Sequence, residues 1–319
     1  MVRQLTLLFQ DFKSFFQKDF NLKAYTYALA VIAASIFVVY ATPFGKLISR
    51  AQIPTDNRIV NDILLFLFMY FVVLIPVLFI KKEQQILKKG AFWFKSILFV
   101  SVLAFSSAFS WRNVLDFPSL SSIESSFVFK VLWRSCNITI VLPVLILYRI
   151  FIDKKVKGLY GICRGNHHIK AYLSLYIIIL PILIGISFTP DFKSYYPSYK
   201  PWLFGDEVFN LPTWLSTVIY ETVYMSDFVM VELIFRGAMV IGMATLLGRN
   251  AVLPMVGIYV MLHFGKPVME TMSAIFGGYF LGTLAFQTKH IWGGIIIHMG
   301  IALIIELLRF SQYYILGIG

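Results

Sequence analysis

Long apolar runs alternate with short polar breaks along nearly the whole chain, a pattern that predicts helices crossing a bilayer. Runs at 24–41, 59–80, 91–111, 131–152, 170–188, 217–247, 251–265, 268–286 and 290–311 give nine candidate spans. Most are near the roughly 20 residues that a hydrocarbon core requires. The run at 251–265 is the exception: about 22 Å of helix cannot cross a core of about 30 Å. It ends in Gly265-Lys266-Pro267. A break at membrane depth is tolerated where protein or a watery cavity covers it, so a pocket is expected there. In the next run Ala274, Gly278 and Gly282 recur at every fourth position. Small residues at that spacing let another helix approach closely. Residues 1–23 mix aromatic and basic residues without a long apolar run and predict an amphipathic helix in the interface. The expected architecture is an all-α, polytopic transmembrane bundle. It comprises the 1–23 segment, N-terminal spans over 24–216 and a core over 217–319.

Composition agrees with that class. Of 319 residues 59% are hydrophobic and 14% charged, with a mean hydropathy of +0.77. Ordinary soluble domains carry about 25% charged residues. The net charge of +12 does not point to nucleic acid, because the basic residues gather at the ends of apolar runs. Lys81, Lys82, Lys88 and Lys89 in one loop, and Arg149, Lys154, Lys155, Lys157, Arg164 and Lys170 in another, read as cytoplasmic. The 189–215 loop holds Asp191, Asp206 and Glu207 against Lys193 and Lys200 and reads as external. Alternation places the N-terminus inside and the C-terminus outside. The 42–58 loop dissents, being external by count yet carrying Lys46, Arg50 and Arg58. The first run follows Lys23, lacks a small-residue cleavage site and reads as a retained span. Lys130 and Arg134 open the fourth run and are expected to snorkel to the outer interface. Cys163, His167 and His168 are ligand-like residues in a basic loop, without a second ligand pair.

Chemistry concentrates in the last third. The run at 217–247 carries Glu221, Asp227, Glu232 and Arg236. A charge near the bilayer centre costs about 3 kcal/mol or more and usually marks a pathway or a site. Glu232 and Arg236 stand four apart with the acid first, which stacks them on one helical face. Glu221 shares that stripe but lies about 16 Å away along the axis. His263 and His298 fall within later apolar runs. Measured from the basic ends near Arg249 and Lys289, depths come to about 25 Å for Glu232, 20 Å for His263 and 13 Å for His298. One carboxylate and two imidazoles could ligate a metal such as zinc. They could also activate water directly, the carboxylate as base and the imidazoles as donors. A buried ion pair with histidines satisfied by backbone is the purely structural reading.

Three segments stand in order: Val231-Glu232-Leu-Ile-Phe-Arg236, Tyr259-Val-Met-Leu-His263 and His298-Met-Gly-Ile-Ala302. They resemble E-E-x-x-x-R, F-x-x-x-H and H-x-x-x-[small or Asn] of the CAAX-protease and bacteriocin-processing family. That family is also called Abi, or type II CAAX prenyl endopeptidase. The resemblance covers residues 217–305. It implies an intramembrane endopeptidase acting on a peptide or membrane-protein substrate, in the inner membrane of a prokaryotic cell. Glu232, His263 and His298 would line the site and Arg236 would hold the glutamate. If a metal is used, Glu232, His263 and His298 would be its ligands. Three positions depart from the pattern: Val231 replaces the first glutamate, Ala302 offers no amide, and Tyr259 stands for the phenylalanine, a minor change. Glu270, close to His263 across the Pro267 turn, and Glu221 are the substitute acids, Glu270 the better placed. The alternative function is a non-catalytic membrane protein that binds a peptide or partner, as immunity or scaffold proteins do. A transporter would also suit buried charges, but no repeated half-structure is visible. Neither H-E-x-x-H nor G-x-S-x-G occurs.

Overall fold

Every candidate span becomes helix. The structure is a computed structural model that describes residues 2–43, 45, 55–164, 169–204 and 208–318. Its helices are α1 (Val2–Asp19), α2 (Leu22–Ala41), α3 (Thr55–Ile80), α4 (Gly90–Ala108), α5 (Ser122–Arg134), α6 (Leu142–Phe151), α7 (Ile169–Leu173) and α8 (Tyr176–Ser187). Then follow α9 (Pro190–Tyr195), α10 (Thr213–Glu232), α11 (Ala244–Leu247), α12 (Val252–Leu262), α13 (Val268–Thr288) and α14 (Trp292–Tyr314). No β-strand occurs among the described residues. His167, His168, Lys46, Arg50, Asp206 and Glu207 lie outside the described residues.

Local chemistry sets several boundaries. The Asn21 side chain accepts the Ala24 amide at 3.1 Å and so starts α2. Ser121 and Glu124 form a reciprocal capping box at the start of α5. Between α5 and α6, a π-helical turn at Asn137–Val141 is followed by Pro143, and the two helices bend by 43°.

Among the described residues, six helices are long and apolar enough to cross a membrane, or seven if the bent α5–α6 pair is one span. The difference from nine runs has two causes. The helix α13 is a full helix of 21 residues but is not among the six, its sequence carrying Glu270 and Gln287 beside a serine and three glycines. The runs at 217–247 and 251–265 join into one stretch, Thr213–Leu262, of 50 residues. A straight helix of that length would reach about 75 Å. It is instead broken at Gly248, where φ is +57°, and α12 returns along the preceding segment. Both bundle ends are recognisable. Lys81 binds Asp19 at 2.8 Å, and Trp292 Nε1 donates to the Cys163 carbonyl at 2.9 Å at one end. Ser198, Lys266, Glu270 and the α9 turn lie at the other.

The helix α1 packs its aromatic face inward. Phe12 and Phe15 meet Tyr279, and Phe15 also meets Phe286 on α13. Arg134 corrects the snorkelling expectation. Its guanidinium turns into the bundle, donating to Tyr220 at 3.1 Å and Ser198 at 2.5 Å and lying 4.2 Å from the Tyr224 ring. The ring face, two hydroxyls and Asp227 at 4.0 Å replace the water it would have sought.

Candidate active site

Immediately after Glu232, at the end of α10, the helix widens into a ten-residue π-helical segment, Leu233–Gly242. Such segments recur at functional sites because they free backbone groups and re-aim side chains. Here the Gly242 carbonyl accepts from the buried Lys95 ammonium at 2.8 Å, and Lys95 also pairs with Asp153 at 2.5 Å. The widened segment is buried throughout.

Glu232 and Arg236 are both fully buried. Arg236 Nη1 lies 2.9 Å from Glu232 Oε1, and His298 Nδ1 reaches the same oxygen at 3.0 Å. The other carboxylate oxygen, Oε2, has no protein donor among the described residues. No hydrogen bond of good geometry accompanies the ion pair. Arg236 is held by charge and by the Tyr259 ring, whose centroid is 4.2 Å from the guanidinium carbon. Gly294, one turn before His298 on α14, makes the meeting possible. A Cβ there would lie 2.0 Å from Glu232 Oε2.

His263 closes α12, and its Nδ1 lies 2.8 Å from the Tyr259 carbonyl oxygen. The Tyr259 ring stands between the motifs, with centroids 4.7 Å from His263 and 6.1 Å from His298. Gly278 on α13 lets that ring approach, since a Cβ there would be 2.9 Å from it. Phe228 packs on His298 at 4.7 Å. The four expected residues Glu232, Arg236, His263 and His298 are thus gathered around Tyr259. Of these, Glu232, Arg236 and His298 are in direct polar contact, the arginine as an ion pair and the histidine through a hydrogen bond.

The partners decide the tautomers. A carbonyl and a carboxylate only accept, so Nδ1 carries the proton in both neutral imidazoles and Nε2 carries the lone pair. Neither ring can then donate to an oxyanion in its resting state, contrary to that part of the sequence expectation. The same geometry tests the metal set. Two Nε2 lone pairs with occupied Nδ1 groups suit second-shell orientation. Glu232, however, lies behind His298, on its Nδ1 side, away from anything Nε2 would bind. Among the described residues no group of three or more His, Cys, Asp or Glu side chains is placed to hold a metal. The Glu232–His263–His298 ligand set does not fit.

The substitute acids stand elsewhere. Glu270 is bound by Lys266 at 2.7 Å and by the Tyr196 hydroxyl at 2.7 Å. Its charge acts on His263 without a direct bond. Glu221 belongs to a separate group, where it feels the charges of Arg134 and Glu306. Asp227 accepts from Asn137 Nδ2 at 2.7 Å, which is in turn supported by Ser106. Val231 is buried in the apolar core, so packing fills the place of the family's first glutamate. Gly294 is a contributor to the site that the three motifs do not mark, and they mark Tyr259 only as a position, not for its ring. The glycine at four residues before His298 was the available signal, being on the same helical face.

A polytopic helical membrane protein in which a buried glutamate and arginine on one helical stretch meet a histidine from a later helix defines a class. Residues 212–304 match the family model described as type II CAAX prenyl endopeptidase Rce1-like. The match spans α10 through most of α14 and bears out the resemblance carried by the three motifs. No curated protein and no solved structure matches the chain. The chain is a multi-pass membrane protein with a CAAX-protease-type segment in its C-terminal third.

Proposed function

We propose that the chain is an intramembrane endopeptidase in which a Glu232–His298 dyad activates water against a peptide bond. The observation that supports this most is the convergence of Arg236 and His298 on one buried carboxylate oxygen. In this reading Arg236 pairs with the Glu232 carboxylate and holds it in place. Glu232 orients His298 and stabilises the imidazolium that forms when Nε2 takes a proton from water. The protonated Nε2 then returns that proton to the leaving amine. His263, fixed by the Tyr259 carbonyl, presents a second lone pair that positions the water or substrate. Incubating the purified protein with a peptide library should yield cleavage products, and Glu232→Gln should abolish them. Addition of a zinc chelator should leave the rate unchanged. Loss on chelation and recovery with zinc would overturn the metal-free step.

A second reading, binding a peptide or partner without cleavage, is favoured by Val231 and Ala302 at two of the departing positions. Uncleaved peptides captured equally by parent and Glu232→Gln protein would select it.

The reading extends to a prokaryotic inner membrane with the N-terminus in the cytoplasm. The orientation is supported by the placement of Lys81, Lys95 with Asp153, and Cys163 at one end of the bundle. Single cysteines introduced at Lys88 and Lys155 should resist an impermeant thiol reagent in intact cells, while one at Lys200 should react. The reverse pattern would invert the topology.

A further inference from the structure

A polar cleft of about 360 Å³ opens at the basic end of the bundle, remote from Glu232. The end of α1, the end of α3 and the 248–250 turn build it, and it carries charges of both signs. Lys18, Lys81 and Arg249 face Asp19 and Glu83 across it. Asp19 is neutralised by Lys81 at 2.8 Å and accepts from the Tyr25 hydroxyl at 2.7 Å. Glu83 accepts from Asn250 Nδ2 at 2.8 Å. Two groups are left over. Asn250 is 2% exposed, yet its Oδ1 has no donor, and the sheltered Arg249 Nε has no acceptor.

A buried acceptor and a buried donor left unpaired each cost about the desolvation of the group, so a ligand that satisfies both is favoured. A lone anion would serve Arg249 and Lys18 but would be repelled by Asn250 Oδ1 and Glu83. A ligand with an anionic and a donor end satisfies all four. The rim supplies the rest: Phe20 and Leu22 are exposed beside the cleft, at the start of a membrane-crossing helix. Basic clefts at the cytoplasmic ends of helices are where phospholipid headgroups dock. We propose that this cleft binds a phosphoethanolamine headgroup, its phosphate on Lys18 and Arg249 and its ammonium on Asn250 Oδ1 and Glu83. The shared chemistry is a phosphate monoester or diester carrying an ammonium. A membrane phospholipid and soluble phosphoethanolamine are its two sources.

Native mass spectrometry of the detergent-solubilised full chain, titrated with phosphatidylethanolamine, phosphatidylcholine and phosphatidylglycerol, tests this. Phosphatidylethanolamine should be retained about tenfold or more tightly than phosphatidylcholine, whose trimethylated nitrogen cannot donate. Asn250→Leu should erase that preference. Lys18→Gln, a change at an exposed residue that leaves packing intact, should weaken phosphatidylethanolamine retention severalfold. Retention of phosphatidylethanolamine through detergent exchange identifies the lipid as the source. Saturation by O-phosphoethanolamine with no lipid retained identifies the soluble ester. Equal retention of the three lipids, or retention unaffected by Lys18→Gln, would overturn the site.

Discussion

Replacing His298 with alanine is expected to lower peptide turnover about 10²–10⁴-fold, the range typical of losing a general base. Thermal stability in detergent should stay near that of the parent. The ring is not a structural plug: its side chain is 15% exposed, and the bond it forms to protein is the one to Glu232. Removing it leaves Glu232 still paired with Arg236, so no charge is orphaned in the core. His263→Ala should reduce turnover as well. Because groups acting as one unit fail to add, the double replacement should be little worse than His298→Ala alone. A collapse of the melting temperature with activity per folded molecule preserved would assign His298 to packing and remove the dyad.

Much of this arrangement was legible in the chain because apolar run length and four-residue spacing are local properties. Each of the nine runs became helix, since a backbone in lipid must satisfy its own hydrogen bonds. The short α12 followed from the length of its run, and its break from Gly265-Lys266-Pro267, where φ at Gly265 is +89°. The Glu232–Arg236 pair followed from i,i+4 spacing. Features set by distant partners were not legible. The π-helical segment after Glu232 is one, since the Gly242 carbonyl it exposes is met by Lys95 from a helix about 150 residues earlier in sequence. That segment also upsets depth bookkeeping at 1.5 Å per residue. Glu232 and His298, estimated about 12 Å apart in depth, are 3.0 Å apart in contact. Arg134 departs from the snorkelling expectation for the same reason: Ser198 from a loop and Tyr220 and Asp227 from α10, all distant in sequence, draw it inward.

Arg236→Leu is expected to destabilise the bundle by about 3–5 kcal/mol, the usual cost of leaving one partner of a buried ion pair uncompensated. Both side chains are at 0% exposure, so water cannot take the place of the lost guanidinium. Glu232 would keep the single Nδ1–H of His298 on Oε1, while Oε2 already lacks a donor. Part of the loss lies outside the ion pair, because the guanidinium also stacks on Tyr259, a contact of about 2 kcal/mol or more when desolvated. The double replacement Glu232→Leu with Arg236→Leu separates the two parts. It forfeits the same stacking but removes the stranded carboxylate, so it should regain most of the electrostatic cost. Equilibrium unfolding in mixed detergent, read for the parent, both singles and the double, gives the coupling directly. If the double is as unstable as the sum of its singles, the pair is not a coupled unit. Arg236 would then be a packing residue, and the charge that fixes Glu232 for His298 would have to come from elsewhere.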